Sequence, residues 1–137
     1  MSYPVYTSMH LVKGEDLNHH GTLYAGRTAE WFVESGFIAA ASATKPENIV
    51  CLKVHGMTFT RPIRKGELAT FKSRIVKVGK TKLVSLIEAS TNDSVVVRGF
   101  ISFVHVDLDG NPIPHGLVLE PTTDEEKALF EEASKLS

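Results

Sequence analysis

One run of residues limits the fold more than any other. From about Leu23 to Ala43, apolar and small side chains recur at helical spacing, at Ala29, Phe32, Val33, Gly36, Phe37 and Ala40. A helix of roughly twenty residues is near the upper end for a globular protein. Pro46 stops it, because a proline disfavours helical geometry at the residue before it, Lys45. Upstream, residues 3–12 alternate loosely and read as one strand. Downstream come four β-rich segments, 49–59, 68–78, 82–91 and 94–107, divided at Pro62 with Gly66, at Gly79-Lys80 and at the tight-turn pair Asn92-Asp93. Their short connections predict an antiparallel meander. After an extended, proline-punctuated stretch, Thr123-Asp124-Glu125-Glu126 reads as a capping box opening a short final helix.

Nothing else in a chain of 137 residues is large enough to bury that first helix. The sheet must therefore wrap it. The expected fold is α+β, a hotdog fold: a long central helix wrapped by an antiparallel sheet of about five strands, with residues 1–137 as one domain. One helix on one sheet leaves apolar surface over, so self-association is expected.

Composition removes several function classes. A net charge of -1 argues against a dedicated nucleic-acid binder. The longest apolar stretch, "FIAAASA", is far too short to span a bilayer, and no basic start with an apolar run marks a signal peptide. The one cysteine, Cys51, has no internal disulfide partner, fits a reduced cytoplasm and reads as a buried strand residue.

Three segments carry a family resemblance. "NHHGTLYAGRTAEWFVESGFIAAASA" resembles the segment leading into the helix of hotdog-fold acyl-CoA thioesterases, with Asn18, Gly21, Ala25-Gly26 and, nearly, Glu34 at the family's marked places. "LKVHGMTFTRPIRKGE" looks like that family's second strand and following turn. "FVHVDLDGNPIPHGLVLEPTTDEEKALFEEA" is similar to the tail of its cytosolic acyl-CoA hydrolase branch. The resemblance implies hydrolysis of a CoA thioester to free acid and CoA. It implies no cofactor beyond the substrate's own CoA and a homodimer as the minimal unit, assembled as a trimer of dimers; no metal is expected, because His19 and His20 have no third ligand at convincing spacing. It also shows a departure. The branch's catalytic carboxylate falls seven residues after the second small residue, which here is Val33; the carboxylate stands one residue later, at Glu34. Another hotdog branch has an Asp before the helix, where this chain has Asn18.

The chemistry sorts the candidates. A thioester carbonyl needs donors where negative charge develops, and the leading N–H groups of a helix lack partners at its positive end. Gly26, with Asn18, is the candidate oxyanion site, and Ala25 is small enough to let a ligand approach; the plainer reading is that these small residues only permit a tight loop. Glu34 is the candidate base or nucleophile, against a reading as a solvated edge beside Arg27 and Glu30. His19 and His20 are alternative bases or substrate contacts. Positive charge concentrates between Arg61 and Lys82, and Arg61, Arg64, Lys65, Lys80 and Lys82 beside turns are candidate contacts for CoA phosphates, against simple decoration of solvated strand faces. The acyl chain would lie against Trp31, Phe32 or Phe37. His55 reads as a strand histidine bonded locally. Two other readings share the groove: a hotdog lyase or hydratase on a CoA ester, and a non-catalytic acyl-CoA binder.

Overall fold

The computed structural model describes residues 3–136. Strand β1 (Tyr6–Leu11) leads through a loop into helix α1 (Ala25–Ala43), followed by β2 (Ile49–Val54), β3 (Thr58–Phe59), β4 (Leu68–Val78), β5 (Lys82–Thr91), β6 (Ser94–His105) and helix α2 (Asp124–Ser134). All strand pairs are antiparallel, in the order β1-β4-β5-β6-β2, with β3 also pairing β6. The predicted meander is thus confined to β4-β5-β6. The β2-β3 segment lies at the far edge instead, on β6, because the chain must cross the sheet to close it around α1.

The face of α1 formed by Thr28, Phe32, Ser35, Gly36, Ala39 and Ala40 is buried. It meets inward-facing residues of the central strands, among them Phe71, Leu83, Ile87, Ile101 and Phe103, all essentially inaccessible. Each such side chain contributes about 1.5–3 kcal/mol of burial. Two buried hydroxyls set the helix's position along the strands: Ser73 Oγ donates to the Ser35 carbonyl at 2.6 Å and Ser85 Oγ to that of Gly36 at 3.1 Å. On the opposite face α2 covers Val76, Leu86 and Phe100 with Ala133. Arg98 grips Glu132 with two bonds, 2.8 and 2.9 Å, and Arg74 holds Glu125 at 2.7 Å. The capping box forms as the sequence predicts, with Thr123 Oγ1 accepting from the Glu126 amide.

The segment 49–59 is not one strand. It breaks at Gly56, whose φ of +129° is open only to glycine. There the chain passes directly over Gly99 of β6, where an added Cβ would lie 2.1 Å from the Gly56 carbonyl oxygen. Ladder pairing resumes at Thr58↔Arg98. A second correction concerns Cys51, which is exposed. It pairs with buried Phe103, but β2 is an edge strand with no further strand beside it among the described residues.

Candidate functional site at the start of the central helix

The loop before α1 is held by Asn18. Its Oδ1 accepts the backbone N–H groups of His20 at 2.9 Å and Thr22 at 3.1 Å, and its Nδ2 donates to Thr22 Oγ1 at 3.1 Å. Two backbone donors on Oδ1 fix which end of the amide is nitrogen, and one Nδ2 hydrogen remains for a ligand. The loop is tied to the β3-β4 connection by a bridge between Thr22 and Arg64 and by Leu23 N–H donating to the Ile63 carbonyl at 2.8 Å. His19 and His20 stand exposed with their rings 3.9 Å apart.

Asp16 braces the same corner, and sequence reasoning missed it. Its carbonyl accepts the Tyr24 N–H at 2.9 Å, its Oδ2 accepts the Lys13 N–H at 2.9 Å, and its Oδ1 lies 3.3 Å from Arg27 Nε. The side chain is 5% exposed against 37% for Arg27. The available signal was the acid two residues before Asn18.

This bracing leaves the helix start open. The N-cap is Tyr24, whose side chain caps nothing, and no acidic residue lies in the first turn. Tyr24's carbonyl accepts from both Arg27 and Thr28, while the Ala25 and Gly26 N–H groups have no acceptor among the described residues. The contrast with the fully capped α2 is direct. Two free donors at a positive helix end form an anion site for which the described residues supply no anion. Tyr24's exposed ring lies over Gly26: an added Cβ there would be 2.4 Å from its Cε2.

The other candidates separate. Glu34 is exposed on the side of α1 turned from the sheet, and Arg27 pairs with Asp16 and, at 3.7 Å, with Glu30. Glu34 lies eight residues beyond Gly26, about 12 Å along the helix, so the two do not meet at one carbonyl within a single chain. Arg61 is committed: its guanidinium bonds Glu67 (Nη2–Oε2 3.2 Å), the Pro62 carbonyl and Thr91. Arg61, followed by the Arg64 N–H, holds the Glu67 carboxyl below its ordinary range. Arg64 and Lys65 are exposed beside the helix start. Lys80 and Lys82 lie at the other end of β4, about 33 Å away at ordinary strand rise. The basic tract is therefore two clusters. Of the acyl-wall candidates, Phe32 is fully buried, Trp31 stacks on His10 at 4.2 Å, and Phe37 packs edge-on to Phe103. His55 bonds locally, its Nε2 2.7 Å from Ser102 Oγ. Among the described residues no group of three or more His, Cys, Asp or Glu is placed to hold a metal ion, and no helix is long and apolar enough to cross a membrane.

A sheet curled round a long helix, with that helix's start left uncapped beside a braced polar loop, defines the hotdog class. The family model of the thioesterase superfamily matches residues 20–98, more than half of the chain, and the protein belongs to that superfamily. The rat cytosolic acyl coenzyme A thioester hydrolase is 28% identical over 96% of this chain. The match covers 36% of that relative, so the chain spans about a third of its length. A crystal structure of an apo-hexameric acyl-CoA thioesterase superposes with a TM-score of 0.86 at 24% identity, over 95% of this chain and 86% of that one. An acyl-CoA hydrolase from Staphylococcus aureus, solved with butyryl coenzyme A, coenzyme A and coenzyme A disulfide, gives 0.82 at 21% identity, over 96% and 80%. At these identities the structural likenesses establish the fold.

Proposed function

We propose that this chain is an acyl-CoA thioesterase, hydrolysing a CoA thioester to the free acid and CoA. The observation that carries the reading is the uncapped start of α1, where the Ala25 and Gly26 N–H groups stand unpaired. Preorganised donors at the carbonyl oxygen are worth about 3–4 kcal/mol of barrier each in comparable sites. The names of the relatives, thioester hydrolases of acyl-CoA, support the same substrate class.

The carbonyl oxygen would sit on the Ala25 and Gly26 amides, with the remaining Asn18 Nδ2 hydrogen as a further donor. Glu34 would activate water or attack the carbonyl. Because it lies too far from its own Gly26, the site is shared between two copies of the chain. The edge strand β2 fits this: Val50, Leu52 and Val54 are each about half exposed on an edge left unpaired among the described residues. Pairing β2 with a second copy would continue the sheet and cover them. A trimer of such dimers is the assembly we propose; two structural neighbours are named as hexameric. Arg64 and Lys65 are the candidate phosphate contacts nearest the helix start. The location is cytoplasmic, in line with the naming of the rat relative.

Thiol release from a panel of acyl-CoAs tests the activity. Stoichiometric release of free CoA is expected. Loss of water or ammonia from the acyl group without thiol release would make the protein a lyase, and binding with neither would make it an acyl-CoA binder.

A further inference from the structure

The outer face of the sheet carries a second polar site, remote from the helix start. Beyond the C-terminal end of α2 a cleft of about 480 Å³ opens over the strands, bordered by Lys53, His55, Lys77, Lys82, Ser102 and Leu136. The register explains the grouping. Lys53 pairs with Ser102, Ser102 with Val84, and Val84 with Lys77, which sets all four on one face in a row across the strands. That row spans about 14 Å between its end lysines at ordinary strand spacing, a gap that two lysine stems bridge to a single group between them. Lys82 stands in the next row, paired with Val104. His55, whose N–H donates to the Phe100 carbonyl, stands in the row on the other side.

Among the described residues the charged side chains lining the cleft are all basic, and no carboxylate side chain lines it. Among the described residues Arg27, Arg61, Arg74 and Arg98 each pair with a carboxylate, whereas Lys77 and Lys82 do not; Lys77 lies over the Phe130 ring at 5.5 Å. At the centre, His55 Nε2 and Ser102 Oγ are 2.7 Å apart. With the proton on Nε2, the imidazole holds the serine oxygen and turns its O–H outward as a donor. Burial first, and then the charge of Lys53, keep the imidazole below its ordinary pKa, so near neutral pH it serves as a neutral orienting group. Val84 and Leu136 give one side an apolar wall.

We propose that this cleft binds a phosphate-bearing small molecule, its phosphoryl oxygens held by Lys53, Lys77 and Lys82 and by the Ser102 hydroxyl that His55 orients. Several ammonium groups and a hydroxyl donor suit a multiply charged tetrahedral group better than a single carboxylate. The apolar wall takes the remainder of the molecule, as in a nucleotide. The cleft is at the opposite end of the sheet from the start of α1 and on its other face, so the inference stands independently of the thioesterase reading.

The test follows the His55 ring resonances by NMR while inorganic pyrophosphate or ADP is added at constant ionic strength. Saturable shifts are expected, with the His55 pKa rising as the anion binds. Saturation by both probes places recognition on the phosphoryl group; much tighter saturation by ADP adds the wall. A Lys77→Gln/Lys82→Gln protein should bind roughly tenfold or more weakly. Lys72→Gln, on the same face but outside the cleft, should bind normally. Ser102→Ala should also weaken binding while the fold, followed by circular dichroism, persists. Absence of saturation by either probe at millimolar concentration would overturn the proposal. So would equal binding by the double lysine variant and the Lys72→Gln control.

Discussion

Replacing Gly26 by Ala separates a catalytic helix start from a merely well-packed one. A methyl group at Gly26 would lie 2.4 Å from Tyr24 Cε2 and 2.9 Å from Cζ, so the ring must turn aside. Tyr24 is 57% exposed and free to do so. Holding it off its preferred rotamer costs about 0.5–1.5 kcal/mol. Alanine in a helix gains up to about 1 kcal/mol over glycine, less in the first turn. The two nearly cancel, and stability should change by less than about 1 kcal/mol, a Tm shift of roughly 2–5 °C at most. Turnover should behave differently. The methyl and the displaced ring both crowd the approach to the Gly26 amide, and losing one oxyanion donor costs about 10²–10³ in kcat. Thermal unfolding and thiol-release kinetics on the same preparation read both quantities. A variant with wild-type kcat would refute the reasoning, as would one whose activity falls only in step with its folded fraction.

The remaining predictions concern the base, the loop clamp and the assembly. Glu34→Gln should fold normally, since the side chain is exposed, and lose about 10²-fold or more in kcat; full turnover would remove Glu34 from the mechanism. Glu67, only 16% exposed, bonds Arg61 and the Arg64 amide, which lowers its pKa in the folded state. A carboxyl lowered in this way adds stability that is complete above its unfolded pKa of about 4.3 and is lost as pH falls through the folded value. Glu67→Gln should therefore cost about 1–3 kcal/mol at neutral pH and little in acid, measured by urea unfolding across pH; equal losses at both would contradict it. Leu52→Lys, at the centre of the exposed β2 edge, should lower the sedimentation mass toward the 15.0 kDa monomer and abolish turnover together. An active monomer would show that the site lies within one chain.

Local signals were legible and long-range ones were not. β4 and β5 begin and end where the alternation does, Asn92 and Asp93 both take the positive φ that a tight hairpin requires, and the Thr123 capping box forms as written. Each depends on neighbours in sequence. The break at Gly56 depends on Gly99, 43 positions away and invisible to any local pattern. The basic tract looked like one patch because its members are close in sequence, but an extended strand carries its two ends to opposite sides of the molecule. Asn18 and Gly26 are marked as candidates by residue type together with the family resemblance. The structure adds how the loop is fixed to the helix start: Asp16, a polar residue in a polar loop, is buried, bonds the helix start at Tyr24 and Arg27, and bonds its own loop at Lys13.

The central claim is that the first amide hydrogens of α1 hold the carbonyl oxygen of an acyl-CoA. The most direct measurement is the proton chemical shift of the Ala25 and Gly26 amides on binding an acyl-CoA analogue whose thioester sulfur is replaced by a methylene group. Both resonances should move downfield and exchange more slowly with solvent as the analogue saturates the protein. Saturation with both amides unmoved would contradict the claim.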